Sequence, residues 1–132
     1  MVALYGGILL GGLLFARLRY RLKPPHWSVL GLMTAPMILD GITHWISDLA
    51  GPGRGFRDDN VWLATLTGNL FPPAFYAGNA LGSFNSWMRI VTGLLFGLAV
   101  VWLVYPFVET YFRSVCQALG PRLQRAEILL AR

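Results

Sequence analysis

The chain is short, apolar and basic. It has 132 residues, of which 55% are hydrophobic and 13% are charged. In soluble domains about a quarter of the residues are charged, so the composition argues against a soluble globular protein. There is room for one small domain, residues 1–132. The net charge of +5 lies in basic blocks beside apolar segments, which indicates membrane topology and not nucleic-acid binding.

Three apolar segments predict an all-α integral membrane protein with three transmembrane helices. The segments cover residues 2–18, 27–46 and 87–108. The third contains Ile90–Val108, which has no charge and covers about 28 Å as a helix, close to the hydrocarbon thickness of a bilayer. The first is short because its clean apolar part ends at Ala16.

A long connection, residues 47–86, joins the second and third segments. It opens with the helix-breaking run Gly51-Pro52-Gly53-Arg54-Gly55. Asp58-Asp59-Asn60 can then cap a short helix over Val61–Leu70, which Pro72-Pro73 would end. The segment is rich in aromatic residues. It is predicted either to lie in the outer headgroup region or to form a surface for a partner protein, and both alternatives stay open.

Positive charges predict the orientation. The first connection carries four of them, Arg17, Arg19, Arg21 and Lys23. The tail, residues 109–132, carries Arg113, Arg122, Arg125 and Arg132. The positive-inside rule therefore places both regions in the cytoplasm and the N-terminus outside. The tail is predicted to be helical with a break at Gly120-Pro121, lying on anionic lipid or docking a partner.

Four glycines are spaced for helix packing. Gly7 and Gly11 are four residues apart in the first segment, as are Gly93 and Gly97 in the third. In lipid, apolar side chains gain little by leaving one apolar neighbour for another, so close backbone contact at small residues drives pairing. The spacing predicts that these faces pack together or against a partner.

Asp40 is an acid inside the second segment. An unpaired carboxylate in a bilayer costs about 2.5–3.5 kcal/mol on insertion scales, so Asp40 should have a partner. Arg89 lies at a depth that differs by only about 6 Å, which its side chain can cover. The sequence predicts a structural ion pair between Asp40 and Arg89. The alternatives are a proton relay or polar-ligand site, and an Asp40 that is protonated or solvated by water.

His44 is the candidate cofactor ligand, one helical turn after Asp40. A membrane-embedded imidazole can ligate haem or a chlorophyll-type pigment. His26 lies about 27 Å away along the same helix, so the two cannot share a metal. The simpler prediction is that His44 lies at the interface, bonded to Asp40 or water, and that the chain binds lipid but no metal or cofactor.

The sequence lacks the motifs of common enzymes. It has no phosphate-binding glycine loop followed by lysine, no nucleophile elbow and no zinc-protease pair. Its only cysteine, Cys116, excludes an internal disulfide or thiolate metal cage. A single intramembrane acid and the lack of an inverted repeat give little support to transport. We therefore expect a protein that is not an enzyme.

Three short motifs resemble a known family. Ala3-Leu4-Tyr5-Gly6 is similar to the start of that family's first shared span, and Asp40-Gly41-Ile42-Thr43 to its Asp-Gly-x-Thr signature. Arg89-Ile90-Val91-Thr92-Gly93 is similar to its Arg-x-x-Thr-Gly run. In this respect the chain resembles the bacterial predicted membrane proteins of domain-of-unknown-function family 2085. The resemblance implies a membrane fold and no activity. Family members usually carry a cysteine-containing segment ahead of the first shared span, and the given sequence begins inside the match to that span.

Together these features predict a small accessory or scaffold subunit in a bacterial cytoplasmic membrane. The expected partners are other integral membrane subunits, as in energy-transducing complexes, and membrane lipids, with no nucleic acid. The alternative is a pigment- or haem-binding or proton-conducting protein that uses His44 and Asp40. A small-solute carrier is a third hypothesis.

Overall fold

The computed structural model describes residues 2–19 and 21–130, without the side chains of residues 124–128 and 130. Within those residues the chain forms helices and connecting turns, which confirms the all-α fold class. The helices are α1 (Val2–Leu18), α2 (Trp27–Asp48), α3 (Phe56–Asp59), α4 (Val61–Leu66), α5 (Pro73–Tyr76) and α6 (Phe84–Leu130). Of the tail residues named above, Arg132 and the side chain of Arg125 lie outside the described part.

By length and composition, two of the described helices could cross a membrane. They are α2, which at 22 residues is about 33 Å long, and the Phe84–Leu123 part of α6. Helix α1 is also apolar but has 17 residues, so it covers about 26 Å. Helix α2 begins after Pro24-Pro25, where His26 Nδ1 accepts a hydrogen bond from the Ser28 backbone N–H at 3.3 Å.

Helix α6 is the central helix of the bundle. Both α1 and α2 pack against it, and they contact each other little. Ala3 lies beside Gly93 at one end of α1, and the ring of Phe15 meets that of Tyr105 edge to face at 5.2 Å near the other end. Because residue numbers rise together along the contact, α1 and α6 run parallel, and α2 runs back between their ends.

The third predicted segment proves to be part of a longer helix. The break expected at Gly120-Pro121 is wrong, since α6 continues through both Pro106 and Pro121 to Leu130. A proline removes one backbone donor but leaves the neighbouring helical bonds intact. Past the apolar stretch, Arg113 Nε donates to Glu109 Oε1 at 2.9 Å, an i,i+4 pair that supports the helix where the first charges enter.

The connection between α2 and α6 is a folded cap, residues 49–83. The helix predicted over Val61–Leu70 starts where expected but ends at Leu66. Gly68 and Asn69 take φ values of +60° and +57°, and Asn69 N–H donates to the Ala64 carbonyl at 2.8 Å, so a left-handed C-cap ends the helix before the prolines do. Pro73 begins α5, because proline suits the first helical position.

Candidate functional site

The predicted glycine faces meet at the contact between α1 and α6. A Cβ atom at Gly7 would lie 2.6 Å from the Leu94 carbonyl oxygen and 3.1 Å from Gly97 Cα. A Cβ at Gly97 would lie 2.5 Å from the Leu4 carbonyl oxygen. These neighbours are backbone atoms that cannot turn aside, so the two helices approach as closely as glycine permits.

The other two predicted glycines extend the same contact. A Cβ at Gly11 would lie 3.0 Å from Val101 Cβ, and one at Gly93 would lie 3.1 Å from Ala3 Cβ. All four glycines therefore line one interface within the protein. The sequence left open whether they pack together or against a partner, and the structure places them against each other.

The predicted ion pair between Asp40 and Arg89 is wrong, because Asp40 pairs with Arg57 instead. Asp40 is buried, and its Oδ1 accepts a hydrogen bond from Nη2 of Arg57, which belongs to α3 in the cap. The Arg57 side chain is buried as well, with 7% of its surface exposed. The guanidinium reaches α2 because the breaker run after Asp48 turns the chain back over the last turns of that helix.

His44 shares the same guanidinium. Its Nε2 lies 3.1 Å from Arg57 Nη2 and 3.9 Å from Asp40 Oδ1. A guanidinium has only donors, so His44 Nε2 must accept with its lone pair. That lone pair is the one a metal would need at Nε2, and ligation of haem or pigment by this atom would displace Arg57.

The backbone of Arg57 is fixed from three sides. Its N–H donates to Ser47 Oγ at 3.0 Å, and its carbonyl oxygen accepts from Asn60 Nδ2 at 3.1 Å and from Asn85 Nδ2. Asn60 also donates to the Tyr76 carbonyl at 2.8 Å. Ser47, Asn60 and Asn85 are fully or almost fully buried. We call these residues, with Asp40, His44 and Arg57, the Arg57 cluster.

The Arg57 cluster joins three parts of the fold. Ser47 and Asp40 belong to α2, Arg57 and Asn60 to the cap, and Asn85 to the first turn of α6. Asn60 takes a left-handed conformation with φ of +47°, which aims its amide at the two carbonyls instead of capping α4. A buried charge stays in place only when paired and hydrogen-bonded, so this cluster sets the position of the cap.

Aromatic rings cover the cluster on the side of the cap. The Phe84 ring centroid lies 5.7 Å from Arg57 Cζ, within the range of a cation–π contact. Trp62 and Phe75 both meet Phe84 in edge-to-face geometry, at 6.0 and 6.1 Å. Tyr76 is buried beneath them, and its hydroxyl accepts from Phe71 N–H at 3.1 Å. The cap thus has a small aromatic core of its own.

Arg89 lies near Asp40 without pairing with it. Both residues line a cavity of about 180 Å³ between α1, α2 and α6, together with Met37 and Thr92. Arg89 is exposed, and it makes no hydrogen bond or ion pair with the described residues. It also lines an open groove beside Ser86, where it can reach polar surroundings without Asp40.

The residue that sequence reasoning missed is Arg57. It lies in the long connection, outside the three predicted spans, and was not predicted to reach Asp40. A signal was present, since a breaker run directly after Asp48 predicts a chain reversal, and a reversal there returns the next residues to the face that carries Asp40 and His44. Among the described residues there is no group of three or more His, Cys, Asp and Glu side chains that could hold a metal.

Comparison with protein-family models, with curated proteins and with solved structures finds no match to this chain. The resemblance to domain-of-unknown-function family 2085 therefore stays a prediction from the three motifs.

Proposed function

We propose that this chain is a non-catalytic integral membrane protein with three spans, acting as an accessory or scaffold subunit of a larger membrane assembly. The observation that carries the proposal is the cap, a connection that is folded and fixed on the bundle by Arg57. The intramembrane carboxylate and imidazole both contact this one guanidinium. Polar side chains in the bundle thus serve to hold a surface in place.

The parallel course of α1 and α6 supports three crossings. Two parallel helices joined by an antiparallel one pass through a layer three times if each helix crosses it. Helix α1 covers the same part of α6 that holds the charge-free stretch, from Gly93 to Tyr105. At about 26 Å it is slightly shorter than a bilayer's hydrocarbon core, a mismatch that Arg17 relieves by snorkelling.

The outward surface of α2 supports a location among lipids or other subunits. Within its most apolar 18-residue stretch, 6% of the residues are buried inside the protein. Large apolar side chains cover its exposed faces, and they include Leu32, Ile38, Leu39, Ile42 and Trp45. Such a surface is stable only against hydrocarbon or another apolar helix.

The cap displays a second apolar surface. Leu66, Leu70 and Leu81 are 77, 78 and 95% exposed. The Arg57 cluster and the aromatic core fix the cap that carries these side chains, and a preformed surface loses little entropy on binding. We propose that this surface contacts a neighbouring subunit.

Purification in mild detergent tests the subunit proposal. We expect defined membrane proteins to co-purify with the wild-type chain. The variant Leu66→Ser/Leu70→Ser should lose them, while Leu119→Ser, an exposed leucine in the tail, should retain them. A chain that purifies alone would contradict the proposal, and so would partners that are insensitive to the cap variant.

Cys116 offers a direct test of the orientation. It is a free, exposed thiol in the tail portion of α6. We propose that the tail is cytoplasmic, so a membrane-impermeant maleimide should label it only after the cells are opened. The variant Cys116→Ser/Ala80→Cys moves the thiol to the exposed end of the cap, where intact cells should label. Labelling of both sites from one side would refute the three-span topology.

The alternative function, cofactor binding or proton conduction through His44 and Asp40, has weaker support. Both side chains contact Arg57, and the Nε2 lone pair of His44 accepts from it. An absorbance spectrum of the purified protein distinguishes the two functions. A pigment or haem band that is lost in His44→Ala would favour the alternative and overturn the assignment of His44 to the cluster.

A further inference from the structure

An apolar cavity opens between the three long helices at the end of the bundle far from the cap. It has a volume of about 260 Å³ and is lined by Leu14 and Leu18 of α1, Met33 of α2 and Leu98 of α6. Because α1 and α2 contact each other little, the cavity is not closed between them. Its lining carries almost no polar atoms, so it suits a hydrocarbon chain.

A basic cleft lies next to this cavity. Its volume is about 310 Å³, and its charged lining consists of Arg19, Lys23, Arg113 and Glu109. Glu109 Oε1 accepts from Arg113 Nε at 2.9 Å. Among the described residues that line the cleft, three cations accompany one carboxylate, which is an excess of two positive charges. Lysine and arginine in one cleft suit an anion with several acceptor oxygens, such as a phosphate.

The cavity and the cleft adjoin each other. Leu22 lines both, and Trp102 Nε1 donates to the Lys23 carbonyl at 3.0 Å, which ties the first connection to α6 at their boundary. From the middle of the bundle outward, the apolar cavity comes first, Leu22 follows at the boundary, and the positive charges of the cleft come last. That order matches an acyl chain followed by an anionic headgroup.

We propose that this site binds one anionic phospholipid, with an acyl chain in the apolar cavity and the phosphate of the headgroup in the basic cleft. The inference depends on the membrane location proposed above and not on the subunit role. It also agrees with the orientation, because the cleft lies at the end predicted to be cytoplasmic, where anionic lipid attracts basic segments.

The test is lipid retention by the purified full chain, measured by native mass spectrometry. Phosphatidylglycerol and phosphatidylcholine with identical acyl chains are titrated separately. We expect the chain to retain phosphatidylglycerol preferentially. Replacing a cleft cation should weaken that preference about fivefold per charge. Arg19→Gln/Lys23→Gln is therefore compared with Arg17→Gln/Arg21→Gln, which removes the same charge from the same region outside the cleft.

A second pair of variants tests the acyl chain. Leu14 and Leu10 are both exposed on α1, but only Leu14 lines the cavity. Leu14→Trp should reduce retention, and Leu10→Trp should leave it unchanged. Inorganic phosphate and glycerophosphoglycerol, added at the same concentration as the lipid, should not displace it. Displacement by either would assign the cleft to a soluble phosphate and overturn the lipid proposal.

Extraction of membranes with alkaline carbonate separates this proposal from the preceding one. A chain that is released by carbonate is not membrane-inserted, and both proposals would fail. A chain that stays in the membrane but retains both lipids equally, or responds alike to both charge variants, would refute the lipid site alone.

Discussion

Two of the contacts that hold the protein together, the α1–α6 interface and the attachment of the cap to α2, depend on different interactions. The α1–α6 interface is apolar and depends on glycines that let backbones touch. The attachment of the cap to α2 is polar: the buried Arg57 guanidinium contacts Asp40 and His44, and the Arg57 backbone bonds to Ser47 and Asn85. The α1–α6 interface is stabilised by many small van der Waals contacts, whereas the attachment of the cap depends on the single charge of Arg57.

This difference teaches which parts of such a protein tolerate change. A glycine interface loses about 1–3 kcal/mol of stability when extra atoms are forced into it. A buried ion cluster loses most of its contribution to stability once one partner is removed, because the remaining charge stays buried without compensation. The following substitutions probe each contact, from the largest expected effect to the smallest.

Removal of Arg57 should have the largest effect. Arg57→Met leaves Asp40 buried without its guanidinium partner, and we expect a loss of about 3–5 kcal/mol in the free energy of unfolding in detergent micelles. Arg54→Met, an exposed arginine of the same cap, should change it by less than about 0.5 kcal/mol. The double variant Asp40→Asn/Arg57→Met should be less harmful than the sum of its parts. Strict additivity would show that the two side chains are not coupled.

Crowding the glycine interface should follow. Gly97→Ala places a Cβ against backbone atoms of Leu4 and Ile8, and we expect a loss of about 1–3 kcal/mol by the same measurement. Gly31→Ala is the matched control, because nothing lies within 4 Å of a Cβ at Gly31 in α2. Alanine should be neutral there or stabilising by up to about 1 kcal/mol. Equal losses at both sites would contradict tight packing of α1 on α6.

Removal of the Tyr76 hydroxyl inside the cap should have a smaller effect. Tyr76 is buried, and its oxygen accepts from Phe71 N–H and lies 2.6 Å from Thr67 Oγ1. Tyr76→Phe should cost about 1 kcal/mol. Tyr111→Phe, an exposed tyrosine of α6, should have no measurable effect. If both variants match the wild type, the cap is not held by this hydroxyl.

Arg89 should matter least for stability. Arg89→Gln should change the free energy of unfolding by less than about 0.5 kcal/mol, because Arg89 is exposed and unpaired with the described residues. A double-mutant cycle with Asp40→Asn should give a coupling much smaller than the one measured for Arg57. A coupling of equal size would restore the ion pair predicted from the sequence.

Local patterns were enough to predict the helical scaffold. Val2–Leu18 matches the predicted first segment, and α2 extends the second by two residues, from Ile46 to Asp48. The glycine contacts could also be predicted from the sequence, because a spacing of four puts small residues on one helix face. In each case the information lies within a few residues of the chain.

The partner of Asp40 could not be found in that way. Depth along the predicted spans points to Arg89, because residues of the connection have no depth that the sequence defines. Arg57 reaches Asp40 through a chain reversal whose geometry depends on Gly55, where a Cβ would collide with Ser47. Similarly, the course of α6 through Pro121 reflects a balance between one missing hydrogen bond and its intact neighbours, which composition does not reveal.

The parallel pairing of α1 and α6 also has a consequence for biogenesis. Since the two helices point the same way, α1 cannot meet its partner until α2 has returned the chain and residues 93–105 have left the ribosome. Throughout that interval the small-residue stripe of the first helix is without its partner helix. The α1–α6 interface can therefore form only after most of the chain has been synthesised.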